Sequence, residues 1–208
     1  SQMPMAKEVL QALGIPIFEK EGFEADDLIA TIAQKAKSQA RVIILSGDLD
    51  NLQLVDENVN VYTMGKGIKE SVIYDHEKVV ERFGVLPNQM NDFKALTGDN
   101  SDNVPGVPGI GKTTAADIIQ RFGSIENLYA ELATDTAVLK PKVKEALKAN
   151  KEKAFLSLQL VTTDKNVDIN FNLEDCKFGG FDQDQITLLF ARLGFNSLLD
   201  RLPTIVFK

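Results

Sequence analysis

The spacing of apolar and polar residues predicts alternating helices and strands in the first part of the chain. Helical spacing of apolar residues runs through residues 3–13 and through residues 24–37. Residues 41–47 form a continuous β-branched run that ends at glycine, which predicts a strand buried on both faces. Shorter strand patterns follow at residues 59–63 and 71–74, around a turn at residues 65–67. This order is typical of an α/β core with a mainly parallel sheet.

The pattern changes to mostly helical after about residue 75. The predicted helices are residues 75–83, 87–96, 112–122, 125–132, 138–149, 151–160 and 182–193. A loop rich in Gly, Asp, Asn and Pro separates the second of these helices from the third. We therefore predict two domains, an α/β core of residues 1–84 and a helical domain of residues 85–208.

Composition narrows the class of protein. The chain has 208 residues, of which 44% are hydrophobic, and this is enough to bury a core. The single cysteine, Cys176, excludes an internal disulfide framework and a cysteine-rich zinc site. Because no apolar run reaches the roughly 18 residues that a membrane span needs, we expect no membrane partner.

The net charge of the chain conceals an uneven distribution of charged residues. The net charge of −7 argues against a nucleic-acid partner, because phosphate-binding proteins are usually basic. However, residues 1–103 hold 10 basic and 17 acidic side chains, whereas residues 104–208 hold 13 of each. The acidic excess therefore lies wholly in the first half of the chain.

The acids of that half include three clusters. Their members are Glu24, Asp26 and Asp27, then Asp48 and Asp50, and finally Asp99 and Asp102. Each cluster alone fits an ordinary helix start or turn. Together they favour a ligand site, because ligands of open α/β sheets bind beyond the carboxyl ends of the strands. Oxygen ligands without His or Cys select Mg²⁺ or Mn²⁺, and two such ions about 4 Å apart suit phosphodiester hydrolysis.

Residues 106–113 satisfy the phosphate-loop pattern G-x-x-x-x-G-K-[ST]. A nucleotide-binding loop needs a buried strand before its first glycine, but residues 98–105 are polar and end in proline. A helix–hairpin–helix explains the same residues better, with the hairpin leading into the helix at residue 112. Backbone amides at that helix start form an anion site suited to a DNA phosphate. The predicted DNA-binding residues are Gly109, Gly111, Lys112 and Thr113.

Three segments resemble a known family. Residues 22–27 (GFEADD), 46–54 (SGDLDNLQL) and 96–113 (LTGDNSDNVPGVPGIGKT) occur in the same order as in the 5′ nuclease domains of bacterial DNA polymerase I. These domains belong to the flap endonuclease superfamily. The resemblance implies a PIN-like or Rossmann-like α/β core followed by a helix–hairpin–helix (H3TH) domain. It also implies a divalent-metal-dependent 5′→3′ exonuclease or flap endonuclease that removes primers or flaps in replication and repair.

The resemblance assigns roles to the clustered acids and to the hairpin. All seven clustered acids become ligands of two Mg²⁺ or Mn²⁺ ions or hold metal-bound water, and Asp48, Asp50, Asp99 and Asp102 become the catalytic set. The hairpin grips duplex DNA at a 5′ flap, nick or primer without sequence preference, often with a bound K⁺. The resemblance further implies a monomer in the bacterial cytoplasm, associated with the nucleoid.

Two departures from the family pattern qualify this interpretation. Family members usually carry a basic residue where Leu49 stands, so the acids around it are less well neutralised. The family's amino-terminal half, with its first strand, two further metal aspartates and a basic arch, has no counterpart here. We therefore expect this chain to be part of a DNA polymerase I–like protein, and alone to bind DNA but to be catalytically incomplete. The alternatives are a non-catalytic duplex-DNA-binding module and, less in keeping with the pattern, a P-loop NTPase.

Overall fold

Secondary structure in the computed structural model is described for residues 2–65, 67–199 and 201–202. The helices are α1 (Met3–Ala12), α2 (Ala25–Ala36), α3 (His76–Phe83), α4 (Met90–Thr97), α5 (Lys112–Phe122), α6 (Ile125–Ala133), α7 (Pro141–Ala149), α8 (Lys151–Val161), α9 (Gln183–Leu193) and α10 (Asn196–Leu199). Short 3₁₀ turns occur at Leu49–Leu54, Pro87–Gln89 and Leu173–Cys176. The chain divides into a larger unit, Ala25–Val167, and a smaller unit, Ser1–Glu24 with Asp168–Lys208.

The sheet of the larger unit has the order β1 (Val42–Leu45), β2 (Val59–Gly65) and β3 (Gly67–Tyr74). Strands β1 and β2 are parallel, whereas β2 and β3 are antiparallel. The α/β class is thus confirmed, and among the described residues the sheet is small and mixed. The turn predicted at residues 65–67 includes Lys66, which lies outside the described residues.

Strand β1 corrects one prediction from the sequence, because it is buried on only one face. Ile44 is 6% exposed, but its neighbours Ile43 and Leu45 are 59% and 63% exposed. Ile44 joins the core with Ala30 and Ala33 of α2, on the face that the helix covers. A β-branched run alone does not show whether a second layer covers the opposite face, and the described residues supply none.

One hydrophobic core joins the sheet to the helices that follow it. It runs from Ala30 in α2 through Val61 in β2 and Leu96 in α4 to Leu147 and Ala154. Helix α4 packs against both α5 and α8 at the centre of this arrangement. The domain boundary predicted near residue 85 lies inside the larger unit and stays a prediction.

In the smaller unit, α1 packs against α9 around Ile186, Leu189 and Phe190. Arg192 of α9 forms an ion pair with Glu8 of α1. None of the helices in the described ranges is both long and apolar enough to cross a membrane.

Asp92 connects α4 to the start of α6. Its carboxylate accepts a hydrogen bond of 2.8 Å from the backbone N–H of Ile125. Burial raises the pKa of Asp92 to about 6, from an ordinary value of 3.8. The charged form is therefore less favourable in the folded protein than in the unfolded chain.

This pKa shift predicts a pH-dependent effect of Asp92→Asn, which retains an acceptor for the Ile125 amide. In the wild type, protonated Asp92 contributes to the unfolding free energy, and this contribution is lost as the pH rises from about 4 to about 6. The variant has no such loss. The variant should gain about 1 kcal/mol in unfolding free energy between pH 4 and pH 7, relative to wild type, because solvent screens the half-buried group. Urea unfolding at the two pH values measures this gain. A stability difference that is the same at both pH values would contradict the assignment.

Candidate metal centre

The chain turns sharply after β1 and so places two aspartates at the carboxyl end of this strand. Asp48 caps the 3₁₀ turn Leu49–Leu54 by accepting a 2.9 Å hydrogen bond from the backbone N–H of Asp50. The N–H of Asp48 itself donates to Ser46 Oγ at 3.0 Å. Leu52 is fully buried and anchors the turn in the core. Local hydrogen bonds and one apolar anchor therefore fix this aspartate pair.

The loop between α4 and α5 holds the second pair of aspartates. Asp99 and Val104 exchange backbone hydrogen bonds of 3.0 and 2.8 Å, which closes a tight loop around Asp102. The backbone N–H and the Oγ of Ser101 both donate to Asp99 Oδ1, at 3.0 and 2.5 Å. The position of the Asp99 carboxylate is thus set by its own loop.

These two segments bring three carboxylates together. Oxygen atoms of Asp50, Asp99 and Asp102 all lie within 4.8 Å of one another. They line an open cleft of about 780 Å³, which Asp48 and Lys112 also line. Three carboxylates at this separation repel each other unless cations neutralise them. A set made only of carboxylate oxygens fits a hard divalent ion, so this cluster could bind metal.

A lysine of α4 supplies positive charge to the cluster. Lys94 Nζ forms ion pairs with Asp50 Oδ1 and, at 2.8 Å, with Asp99 Oδ2. Hydrogen bonds from Lys94 and then Ser101 lower the pKa of Asp99 to about 2. Family members usually carry a basic residue at position 49, where this chain has leucine. In this structure the positive charge beside the acids comes instead from Lys94 of α4. Sequence reasoning missed Lys94, because no local spacing rule relates α4 to the turn after β1.

Asn51 links the strand end to α2. The residue is 1% exposed, and its Nδ2 donates to Asp26 Oδ1 at 3.2 Å and to Ser46 Oγ at 3.3 Å. Its Oδ1 has no hydrogen-bond partner among the described residues. Asn51 was also missed from the sequence, where it reads as an ordinary turn residue.

The remaining predicted ligands lie in different surroundings. Asp27 accepts a 2.8 Å hydrogen bond from the backbone N–H of Asp164, in the segment after α8. Glu24 belongs to the smaller unit. Of the seven predicted acids, the structure brings four to the cleft, namely Asp48, Asp50, Asp99 and Asp102. The ligand roles of all seven stay predictions.

The predicted hairpin connects α4 to α5 and is tied to the core by its backbone. The N–H of Gly106 donates to Ser157 Oγ at 3.0 Å, and the N–H of Val107 donates to the Leu96 carbonyl at 2.9 Å. No side-chain hydrogen bond caps α5 at Gly111 in the described structure. The four predicted DNA-binding residues, Gly109, Gly111, Lys112 and Thr113, are all exposed.

This hairpin geometry argues against a nucleotide-binding loop. Between α4 and Gly106 the described chain forms a single β-bridge, Asp99 to Val104, and no buried strand leads into the loop. The amides of Gly106, Val107 and Ile110 all donate to acceptors within the protein, so they cannot cradle a phosphate. The helix–hairpin–helix interpretation accounts for these contacts, and the P-loop alternative does not.

Two models of known protein families match this chain. The model described as "5′-3′ exonuclease, N-terminal resolvase-like domain" matches residues 1–84. The model described as "5′-3′ exonuclease, C-terminal SAM fold" matches residues 85–184. The chain therefore belongs to the 5′-3′ exonuclease family, as the sequence motifs predicted.

Curated relatives include several bacterial DNA polymerases I. The chain is 39% identical to DNA polymerase I of Bacillus caldotenax, over 98% of this chain and 23% of that protein. It is 41% identical to DNA polymerase I of Mycobacterium bovis, over 97% of this chain and 22% of that protein. The chain thus spans less than a quarter of the length of these relatives.

Solved structures share the fold. The T5 D15 protein, co-crystallised with metal ions, is 25% identical with a TM-score of 0.62, and the match covers 89% of this chain and 59% of that one. The catalytic core of Rad2 in complex with DNA substrate has a TM-score of 0.66 at 18% identity, over 97% of this chain and 69% of that one. The Rad2 match supports the fold alone, because its sequence identity is low.

Proposed function

We propose that this chain forms part of a divalent-metal-dependent 5′→3′ nuclease within a DNA polymerase I–like protein of the bacterial cytoplasm. Its substrate would be duplex DNA with a 5′ flap, nick or primer. One observation carries the proposal: the cluster of Asp50, Asp99 and Asp102 shares a cleft with Lys112 at the start of α5. A carboxylate site and an anion site in the same cleft suit hydrolysis of a phosphodiester.

The donor set of the cluster favours Mg²⁺ or Mn²⁺. Asp50, Asp99 and Asp102 would hold the ion together with Asp48, which also fixes the turn that carries Asp50. A bound divalent ion supplies Lewis acidity, which stabilises the charge that develops on phosphodiester oxygens. The family resemblance suggests a second ion that involves Glu24, Asp26 and Asp27. Of these acids, Asp26 accepts a hydrogen bond from Asn51.

The hairpin would bind the DNA backbone. Free amides at the start of a helix and a nearby ammonium group attract phosphate, but they contact no base edges, so binding would be independent of sequence. The resemblance adds a K⁺ ion on the hairpin carbonyls as a further proposal. We also propose that the protein acts as a monomer.

Lys112→Ala should weaken duplex binding equally for different sequences. The slope of log affinity against log salt concentration should fall by about 1, because one phosphate contact is lost. Fluorescence anisotropy with two unrelated duplexes over a range of salt concentrations measures both effects. Lys78→Ala is a matched control, because Lys78 is exposed on α3 and does not line the cleft. Equal effects of the two substitutions on DNA binding would show that the hairpin is not part of the DNA interface.

The isolated chain and the complete protein should differ in activity. We propose that the 208 residues alone bind a flap substrate without cleaving it, whereas the longer protein cleaves it in Mg²⁺. A gel assay with a labelled 5′ flap, run on both proteins at equal concentration, tests this. Turnover by the short chain above background would show that it is catalytically complete.

A further inference from the structure

The acidic cleft contains a cation that belongs to the chain itself. The ammonium group of Lys94 contacts both Asp50 and Asp99, two of the three acids in the cluster. These contacts are shielded from solvent, because the side chains of Lys94, Asp50 and Asp99 are only 14%, 17% and 22% exposed. The attraction is therefore stronger than in an ion pair at the surface.

A divalent ion and this ammonium group compete for the same oxygen atoms. A hard divalent ion needs carboxylate oxygens at about 2.0–2.6 Å. An ion held by Asp50 and Asp99 would lie within a few ångströms of Lys94 Nζ in its present position. Two positive charges at that distance repel each other strongly in a partly buried site.

The backbone of α4 allows Lys94 to move without disturbing the fold. The residues around it, Phe93, Ala95 and Leu96, are all buried in the core. The Lys94 carbonyl accepts the N–H of Gly98 at 2.8 Å, which fixes the end of the helix. The four-carbon side chain can therefore leave the acids by rotation of its own bonds.

We propose that Lys94 is an internal counter-ion of Asp50 and Asp99, which balances part of their negative charge without metal and lowers the affinity of the site for a divalent ion. The proposal rests on the metal site of the proposed function. If Lys94 had only a structural role, the opposite result would follow. Its loss would let the acids move apart and would weaken metal binding.

Mn²⁺ titration followed by electron paramagnetic resonance separates these roles. Lys94→Met and Lys94→Gln both remove the charge, and Gln retains a hydrogen-bond donor if the Met variant folds poorly. Each neutral variant should bind Mn²⁺ at least about tenfold more tightly than wild type. Lys94→Arg should restore the weaker affinity. Unchanged or weaker Mn²⁺ binding by a folded neutral variant would overturn the proposal.

Two further variants serve as controls in the Mn²⁺ titration, Asp99→Asn for the metal site and Lys78→Met for the loss of a lysine elsewhere. Asp99→Asn should lose the Mn²⁺ signal of this site, and Lys78→Met should bind like wild type. Should Asp99→Asn lose binding while the neutral Lys94 variants match wild type, the metal site stands and the counter-ion role fails. Should Asp99→Asn titrate like wild type, the metal site itself is refuted and the counter-ion role with it.

Discussion

The substitution Gly106→Ala should destabilise the larger unit by more than about 3 kcal/mol. A Cβ atom at this position would lie 2.7 Å from both Gly98 Cα and the carbonyl carbon of Thr97. These are backbone atoms that cannot rotate away, and the φ angle of +61° adds strain for any L side chain. The close approach of Gly98 and Gly106 joins the Asp99 loop to the hairpin, so the same substitution should also disturb the acidic cluster.

Two other hairpin glycines provide matched controls. Gly109 has a φ angle of +87° but open space around its Cβ position, so Gly109→Ala should be destabilising by about 1 kcal/mol. Gly111 has open space around its Cβ position and an ordinary φ angle of −90°, so Gly111→Ala should cost only about 0.5 kcal/mol, because alanine is a poorer helix N-cap than glycine. Urea unfolding of the three variants tests the predicted order. Similar losses for Gly106→Ala and Gly109→Ala would show that the close approach is not rigid.

Asp99→Asn in the complete protein should reduce Mg²⁺-dependent flap cleavage by roughly a thousandfold, about 4 kcal/mol in activation free energy. The amide retains an acceptor for Ser101 but loses the charge that would hold the ion. Asp48→Asn should have a similar effect, because asparagine can still cap the turn while the charge is removed. Duplex binding should persist in both variants, since the hairpin is unchanged.

Single-turnover cleavage and anisotropy on the same samples separate catalysis from binding. Asp117→Asn is the control, because Asp117 is exposed on α5 and does not line the cleft. It should cleave like wild type. Undiminished cleavage by Asp99→Asn would remove this carboxylate from the catalytic machinery.

Local signals made most helices predictable from the sequence. Helix α5 has the predicted bounds, Lys112–Phe122, because Gly111 and Gly123 flank its amphipathic run. The predicted helix at residues 87–96 is instead a 3₁₀ turn, Pro87–Gln89, followed by α4. The one-sided burial of β1 was not predictable, because it depends on which layers cover the sheet.

In the candidate site, too, the residues of local motifs were predictable, whereas contacts between distant elements were not. The motifs predicted that Asp48, Asp50, Asp99 and Asp102 belong together, and the structure places all four along one cleft. Lys94 and Asn51 were not predicted, because their roles depend on contacts between elements distant in sequence. Asp27 likewise accepts a hydrogen bond from the Asp164 amide, which a helix pattern does not reveal.

The most direct test of the metal site is anomalous diffraction from crystals of the protein grown with Mn²⁺. We predict an anomalous peak about 2.2 Å from carboxylate oxygens of Asp50, Asp99 and Asp102, with Lys94 Nζ moved away from it. Strong peaks at other acids with none at this cluster would show that these three aspartates are not the metal site.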